Sequence, residues 1–229
     1  MNVDLSIYLV TDSGPDHSVG RTVAETVAEA IAGGVTAVQV RDKNATAREF
    51  LELVTRIESV VPPAVALLVN DRVDVFLAGR ASGLRLTGVH LGQTDLPVSL
   101  VRTLVGGDAV IGLSAATSEE LLAAAADPAR VDYVGIGALR ATRTKPDAPP
   151  ALGIDGFTRL VRLTTLPAVA IGGVRPADLP ALRAAGAAGA AVVSAVSGAP
   201  DPRAAARALA DAWQVSAGPA DLLMQGSVR

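Results

Sequence analysis

The sequence predicts an α/β protein, a single (β/α)8 TIM barrel, on three observations. Short apolar runs alternate eight times with amphipathic or alanine-rich segments, and alternation with crossover helices makes a parallel sheet. The eight units fit within roughly 210 residues, the size of a compact barrel. No Gly-x-Gly-x-x-Gly turn follows the first strand, which counts against the competing doubly wound open sheet.

Residues 6–11 read as a buried strand, and 19–32 as a helix stopped by Gly33-Gly34. Residues 37–41 form the second strand. Thr46 and Glu49 have capping-box spacing, in which each side chain satisfies an orphan amide of the other, so a helix runs to about residue 60 and ends at Pro62-Pro63. The third strand spans 66–70 with a short helix over 72–78. The fourth spans 88–91 with a helix over 98–104. The fifth spans 110–114, and Thr117 with Glu120 caps the helix that ends near Ala126. Residues 131–136 are the sixth strand, followed by a long polar loop and a helix over 154–163. The seventh strand spans 168–171 with a helix over 176–185, and the eighth 189–193 with a helix over 202–214. Residues 1–215 thus make one barrel domain, and 216–229, which lack a clear element, a flexible C-terminal tail.

Composition narrows the function. The chain has 229 residues and a net charge of −3 with no basic run, which excludes a nucleic-acid binder by electrostatics. It has no cysteine, so disulfides, thiolate metal sites and a cysteine nucleophile are absent, and a cytoplasmic location is expected. Its two histidines, His17 and His90, are too few for a three-histidine metal site. The N-terminus has no signal-peptide pattern, and the longest uncharged run, 184–200, is broken by Gly and Ser, so no membrane span is expected.

The polar residues crowd at strand C-terminal ends, where barrel active sites lie. These ends are Gln39-Val40-Arg41-Asp42-Lys43, Asn70-Asp71, His90-Leu91-Gly92-Gln93-Thr94-Asp95, Ser114, Gly172-Gly173 and Val193-Ser194. The loop after the sixth strand carries Thr142, Thr144 and Lys145 and ends in prolines. Lysine is rare here: the chain has 18 Arg but only Lys43 and Lys145. A compact ammonium suits a phosphate contact or amine chemistry.

Two substructures follow. Gly172-Gly173 with Val193-Ser194 reads as a phosphate cup after strands seven and eight, or alternatively as ordinary turn glycines. Asp71 and Asp95 beside Arg41, Lys43 and Lys145 suit a Mg²⁺ completed by substrate phosphate oxygens. Taken singly, each aspartate reads as a helix N-cap. His90, inside a strand, reads as a buried, hydrogen-bonded structural histidine. Asp12 reads as a turn or cap residue.

Seven segments in order, Tyr8-Leu9-Val10-Thr11-Asp12, Gln39-Val40-Arg41-Asp42-Lys43, Asn70-Asp71-Arg72, His90-Leu91-Gly92-Gln93-Thr94-Asp95, Thr142-Arg143-Thr144-Lys145-Pro146, Ile171-Gly172-Gly173 and Val192-Val193-Ser194-Ala195, resemble the thiamine phosphate synthase family across nearly the whole domain. The resemblance implies a transferase of thiamine biosynthesis that joins a hydroxymethylpyrimidine diphosphate to a thiazole phosphate with Mg²⁺ and releases pyrophosphate. By resemblance, Gln39, Arg41, Lys43, Asn70, Ser114 and Lys145 hold the pyrimidine diphosphate, with Lys145, Arg41 and Ser114 at the chemistry. Asp71 and Asp95 bind Mg²⁺, and Thr142, Thr144, Gly173, Val193 and Ser194 hold the thiazole phosphate. The implied mechanism is dissociative, so the protein stabilises charge on the leaving group and positions the nucleophile.

The chain departs from the family pattern at four places. Arg143 replaces a small residue, Leu139-Arg140-Ala141 an apolar run, and Ala188 an aspartate, while 80–87 looks rearranged. Three rivals stay in view. A thiazole tautomerase should lack the Gln39/Arg41/Lys43 and Asp71/Asp95 set. A Schiff-base aldolase would carry its lysine desolvated on a strand. A non-catalytic precursor sensor would not need both poles. A homo-oligomer is compatible with all of these.

Overall fold

A computed structural model describes residues 3–11, 20–141 and 151–215. Eight parallel strands close on themselves in sequence order, and the eighth pairs with the first. They are β1 (Ile7–Val10), β2 (Ala37–Val40), β3 (Ala66–Asn70), β4 (Gly88–Leu91), β5 (Val110–Ser114), β6 (Tyr133–Ile136), β7 (Ala168–Ile171) and β8 (Gly189–Val192). The helices between them are α1 (Val23–Ala32), α2 (Ala47–Glu58), α3 (Val73–Ala81), α4 (Val98–Val105), α5 (Ser118–Ala126), α6 (Gly153–Val161) and α7 (Leu179–Ala184). After β8 come α8 (Ser194–Ser197) and α9 (Pro202–Gln214). The expected barrel is therefore the observed one.

Alternation along each strand sorts the core into two. Leu9, Val38, Val40, Leu67, Val69, Ile111 and Val134 face outward and pack under the helices. Tyr8, Val10, Ala37, Leu68, Val110, Tyr133 and Ala191 fill the barrel. Helix α2 shows how the outer shell is built: Phe50, Leu53, Val54 and Ile57 recur at i, i+3, i+4 and i+7 and are buried, the stripe an amphipathic helix turns to a sheet.

Helix starts follow local chemistry. The expected capping boxes at Thr46/Glu49 and Thr117/Glu120 form, and a third forms at Thr22/Glu25. That third cap corrects the first helix, which begins at Val23 and not at residue 19. Two further elements were not read from the sequence: a 3-10 turn over Pro176–Asp178 ahead of α7, and the short helix α8. The expected tail, 216–229, lies outside the described residues, as does Asp12.

The N-terminal end of the barrel is a stability face. Arg102 donates to the carbonyls of Gly106, Ala109, Ala129 and Arg130 and to Asp132, which stitches α4 to the starts of β5 and β6. A groove at this end contains Glu58, Arg80, Arg85 and Asp108. Its charges pair with one another, Arg85 with Glu58 and Arg80 with Asp108, each at 2.7 Å.

Candidate active site

The described site residues gather at the C-terminal mouth of the barrel. On the β2–β4 side, Thr11 lies 1% exposed and its hydroxyl accepts from the Arg41 amide at 2.9 Å, which fixes the backbone where β2 leaves the sheet. Lys43 stands exposed beyond it. Asp71 follows β3 in the left-handed region, φ 59°, a conformation that Asp and Asn tolerate better than most residues. Its amide donates to the His90 carbonyl at 2.9 Å, so the β3–β4 ladder itself holds it.

The N-cap reading of the two aspartates fails. The N-cap positions of α3 and α4 are Arg72 and Pro97, neither with a side-chain cap bond. The carboxylates of Asp71 and Asp95 instead meet at hydrogen-bonding distance. One Asp95 oxygen accepts from the Gly92 amide at 2.6 Å. Burial, then the negative charge and hydrogen bond of Asp95, push the Asp71 carboxyl up to about 6, while the charge of Lys43 and a hydrogen bond from Asn70 pull the other way. Two carboxylates this close repel when both are ionised, and a divalent cation relieves the repulsion. Among the described residues no group of three or more His, Cys, Asp or Glu side chains converges. A two-carboxylate donor set fits Mg²⁺, which keeps waters and takes substrate phosphate oxygens, better than it fits a metal that demands an all-protein cage.

Across the mouth, Gly172 and Gly173 follow β7 with φ of 90° and 69°. Cβ atoms there would lie 2.7 Å from the Ala138 Cβ and 2.9 Å from the Arg140 Cβ. Both glycines are thus required by backbone sign and by the close approach of the β6 loop, beyond any ligand. Next to them α8 opens at Ser194 after Val193, the short extra helix with which barrels of this kind complete a phosphate site.

Between the two sides a chain of side-chain hydrogen bonds crosses the barrel. Gln39 Nε2 donates to the Tyr8 hydroxyl at 2.9 Å, and the Tyr8 and Tyr133 hydroxyls meet at 2.8 Å. Tyr133 reaches His90 Nδ1 at 2.8 Å, and His90 Nε2 reaches Ser114 Oγ at 3.0 Å. An amide nitrogen only donates. With that orientation of Gln39 and a neutral His90, each hydroxyl passes its hydrogen onward. His90 then carries its proton on Nε2, and the Ser114 hydroxyl hydrogen is free to point elsewhere. Burial pushes Tyr8 up to about 12 and Tyr133 well above the usual phenol value, so both stay protonated at neutral pH. Gly112 makes room for the link: a Cβ there would lie 2.1 Å from the Tyr133 ring.

His90 lies inside β4 and is hydrogen-bonded as expected, but it is half-buried instead of buried, and its bond to Ser114 brings it to the mouth. Sequence reasoning missed Tyr8 and Tyr133. The chain has only two tyrosines, and both sit on strand positions facing the barrel, a signal that was available. Tyr133→Phe should lose about 1–3 kcal/mol of unfolding free energy, because it strands a buried hydroxyl and an imidazole nitrogen. Denaturant unfolding checks this, and a loss under about 0.5 kcal/mol, the level of an ordinary surface change, would show the link carries no stability.

Gln39, Arg41, Lys43, Asn70, Asp71, Asp95, Ser114, Gly173, Val193 and Ser194 all lie at this mouth. Thr142, Thr144 and Lys145 lie outside the described residues, as does Arg143. Ala188 is a ladder residue, donating to the Ala168 carbonyl at 2.7 Å. The 80–87 segment holds the end of α3 and the arginines of the opposite face.

The fold and mouth define a barrel enzyme with a carboxylate–cation pole and a glycine-lined cup. The chain belongs to the thiamine monophosphate synthase family, which it matches over residues 7–196. A thiamine-phosphate synthase of Azorhizobium caulinodans is 47% identical over 90% of this chain and 93% of its own length. One of Natronomonas pharaonis is 44% identical over 93% and 96%. A solved thiamine phosphate pyrophosphorylase of Pyrococcus furiosus superposes with a TM-score of 0.78 at 32% identity, covering 92% of this chain and 96% of that one.

Proposed function

We propose that this chain joins 4-amino-2-methyl-5-hydroxymethylpyrimidine diphosphate to a thiazole phosphate, using the two poles of one mouth. It is a transferase of thiamine biosynthesis that forms thiamine phosphate. The observation that carries the two-pole reading is the Asp71–Asp95 pair, freed from any helix-capping role and set beside Lys43.

Asp71 and Asp95 would hold Mg²⁺, which would supply positive charge to the diphosphate. Arg41, Lys43 and Lys145 supply further positive charge to the diphosphate. Gln39, Asn70 and Ser114 orient the pyrimidine end of that substrate. Thr142, Thr144, Gly173, Val193 and Ser194 take the thiazole phosphate. The bond between the pyrimidine methylene and the diphosphate oxygen breaks, and the electron pair leaves with pyrophosphate. The aminopyrimidine carries the methylene cation, and the thiazole nitrogen donates the pair that forms the new C–N bond. The protein's share is charge stabilisation on the leaving oxygen and placement of the nucleophile. No tuned general base is required, which accords with only two histidines in the chain.

Among the described residues no helix is long and apolar enough to cross a membrane. The absence of cysteine supports a reducing, cytoplasmic setting. The test is incubation with both substrates and Mg²⁺. The expected result is equal amounts of thiamine phosphate and pyrophosphate, with neither formed when one substrate is omitted. An isomerised thiazole without C–N bond formation would support the tautomerase, and no conversion at all would support the sensor.

A further inference from the structure

Arg140 is one of the places where the sequence departs from the family pattern, and it touches the glycine cup at two points. Its amide donates to the Gly172 carbonyl at 2.9 Å, extending the β6–β7 ladder past both strands. Its Nη1 donates to the Gly173 carbonyl at 3.0 Å. Its guanidinium forms a two-pronged pair with Asp178, with Nη2 to Oδ1 at 2.7 Å. Asp178 is 5% exposed and also accepts from the Arg175 amide at 2.8 Å. Burial alone would raise the Asp178 carboxyl, but its hydrogen bonds from Arg140 and the Arg175 amide, with both positive charges, hold it below the ordinary value.

The consequence lies in the peptide planes. In a trans peptide the N–H points opposite to the C=O. Arg140 draws the carbonyls of Gly172 and Gly173 to itself, so the N–H groups of Gly173 and Val174 turn the other way. Among the described residues neither amide donates to a protein acceptor. Successive outward amides at a turn with positive φ form an anion-binding concavity. Only the absence of a side chain at 173 allows Arg140 this close, as its absence at 172 allows the approach of Ala138.

We infer that Arg140 is a positioning residue for the phosphate of the thiazole substrate: its main-chain N–H aims the Gly173 amide, and its guanidinium, held by Asp178, aims the Val174 amide. The inference rests on the function proposed above. Arg140 acts through the peptides it grips, and its own charge is spent on Asp178. The pair therefore sets preference for a phosphorylated thiazole over the free alcohol.

The test is steady-state kinetics of R140M, R140K and D178N with thiazole phosphate and, in parallel, the unphosphorylated thiazole alcohol. In R140M and D178N, KM for thiazole phosphate should rise about tenfold or more, as when a supporting partner of a binding group is removed. The alcohol and the pyrimidine diphosphate should keep their KM values within about twofold, the spread of near-neutral changes. R140K should recover part of the phosphate preference, since an ammonium can hold one carbonyl but not also fork onto Asp178. A role in stability alone would lower the melting temperature and leave the phosphate-to-alcohol ratio untouched, which overturns the inference. Tighter phosphate binding by D178N, which frees the Arg140 charge, would make Arg140 a direct ligand and also overturn it. D178N and R140K keep side-chain size, so the contrast stands even where R140M fails to fold. An unaltered chain that makes no thiamine phosphate refutes the function itself; a working chain whose variants keep their phosphate preference refutes only the positioning role.

Discussion

Asp71→Asn should sharply reduce turnover and stabilise the fold at once. Removing one carboxylate of the proposed Mg²⁺ site should cost on the order of 2–4 kcal/mol of transition-state stabilisation, about 30- to 1,000-fold in kcat/KM. The stability change has the opposite sign. The folded Asp71 carboxyl titrates near 6, above its ordinary value of 3.8, so between those pH values the folded state binds more protons than the unfolded one. Stability from this group is then fully present below about 4 and is lost as pH rises through about 6. At pH 7 without metal the unaltered chain bears that loss and the Asn variant does not, while Asn accepts the positive φ. The variant should therefore melt higher at pH 7, with the gap closing toward pH 5. Added Mg²⁺ should raise the melting temperature of the unaltered chain alone, and its affinity should fall below pH 6 as Asp71 takes a proton. Thermal melts at two pH values with and without Mg²⁺ check all of this. A variant that melts lower at pH 7, or full activity of the unaltered chain in excess chelator, would remove Asp71 from the metal pole.

Lys145→Ala should be nearly as damaging, and Lys145→Arg less so. Negative charge gathers on the leaving oxygen as the bond breaks, so a lysine there acts mainly in the transition state and its loss falls on kcat. About 2–4 kcal/mol is expected for the alanine variant. Arginine keeps the charge with a different geometry and should restore part of it. A Schiff-base lysine would not tolerate arginine, because guanidinium forms no imine. Equal loss in both variants, together with borohydride trapping of a carbonyl substrate, would favour the aldolase rival.

These two residues also mark how far the sequence could be read. Strand periodicity and helix caps were legible because they are local: alternation assigns a face, and a threonine three residues before a glutamate closes a cap. The polar strand ends were legible because a barrel gathers them at one mouth. The Asp71–Asp95 contact needed the fold, since adjacent strand ends converge only once β3 and β4 pair. The tyrosine–histidine link was harder still. It joins residues 125 and 43 apart in sequence; strand alternation can turn each tyrosine into the barrel, but it does not say which partner each one meets there. Gly112, whose missing side chain leaves room for Tyr133, was the trace it left. Arg140 stands out in the sequence as a departure, but its bonds to two carbonyls depend on where the β7 turn brings them.

The claim that one mouth holds two separate anion poles is tested most directly by calorimetric titration of pyrophosphate and of thiazole phosphate, each with and without Mg²⁺, on the unaltered chain and on Asp71→Asn. Pyrophosphate should bind the unaltered chain only with Mg²⁺ and should be lost in the variant. Thiazole phosphate should bind both proteins with the same affinity, whether or not the metal is present. Equal dependence of the two ligands on Mg²⁺ and on Asp71, or competition between them for a single site, would contradict the account.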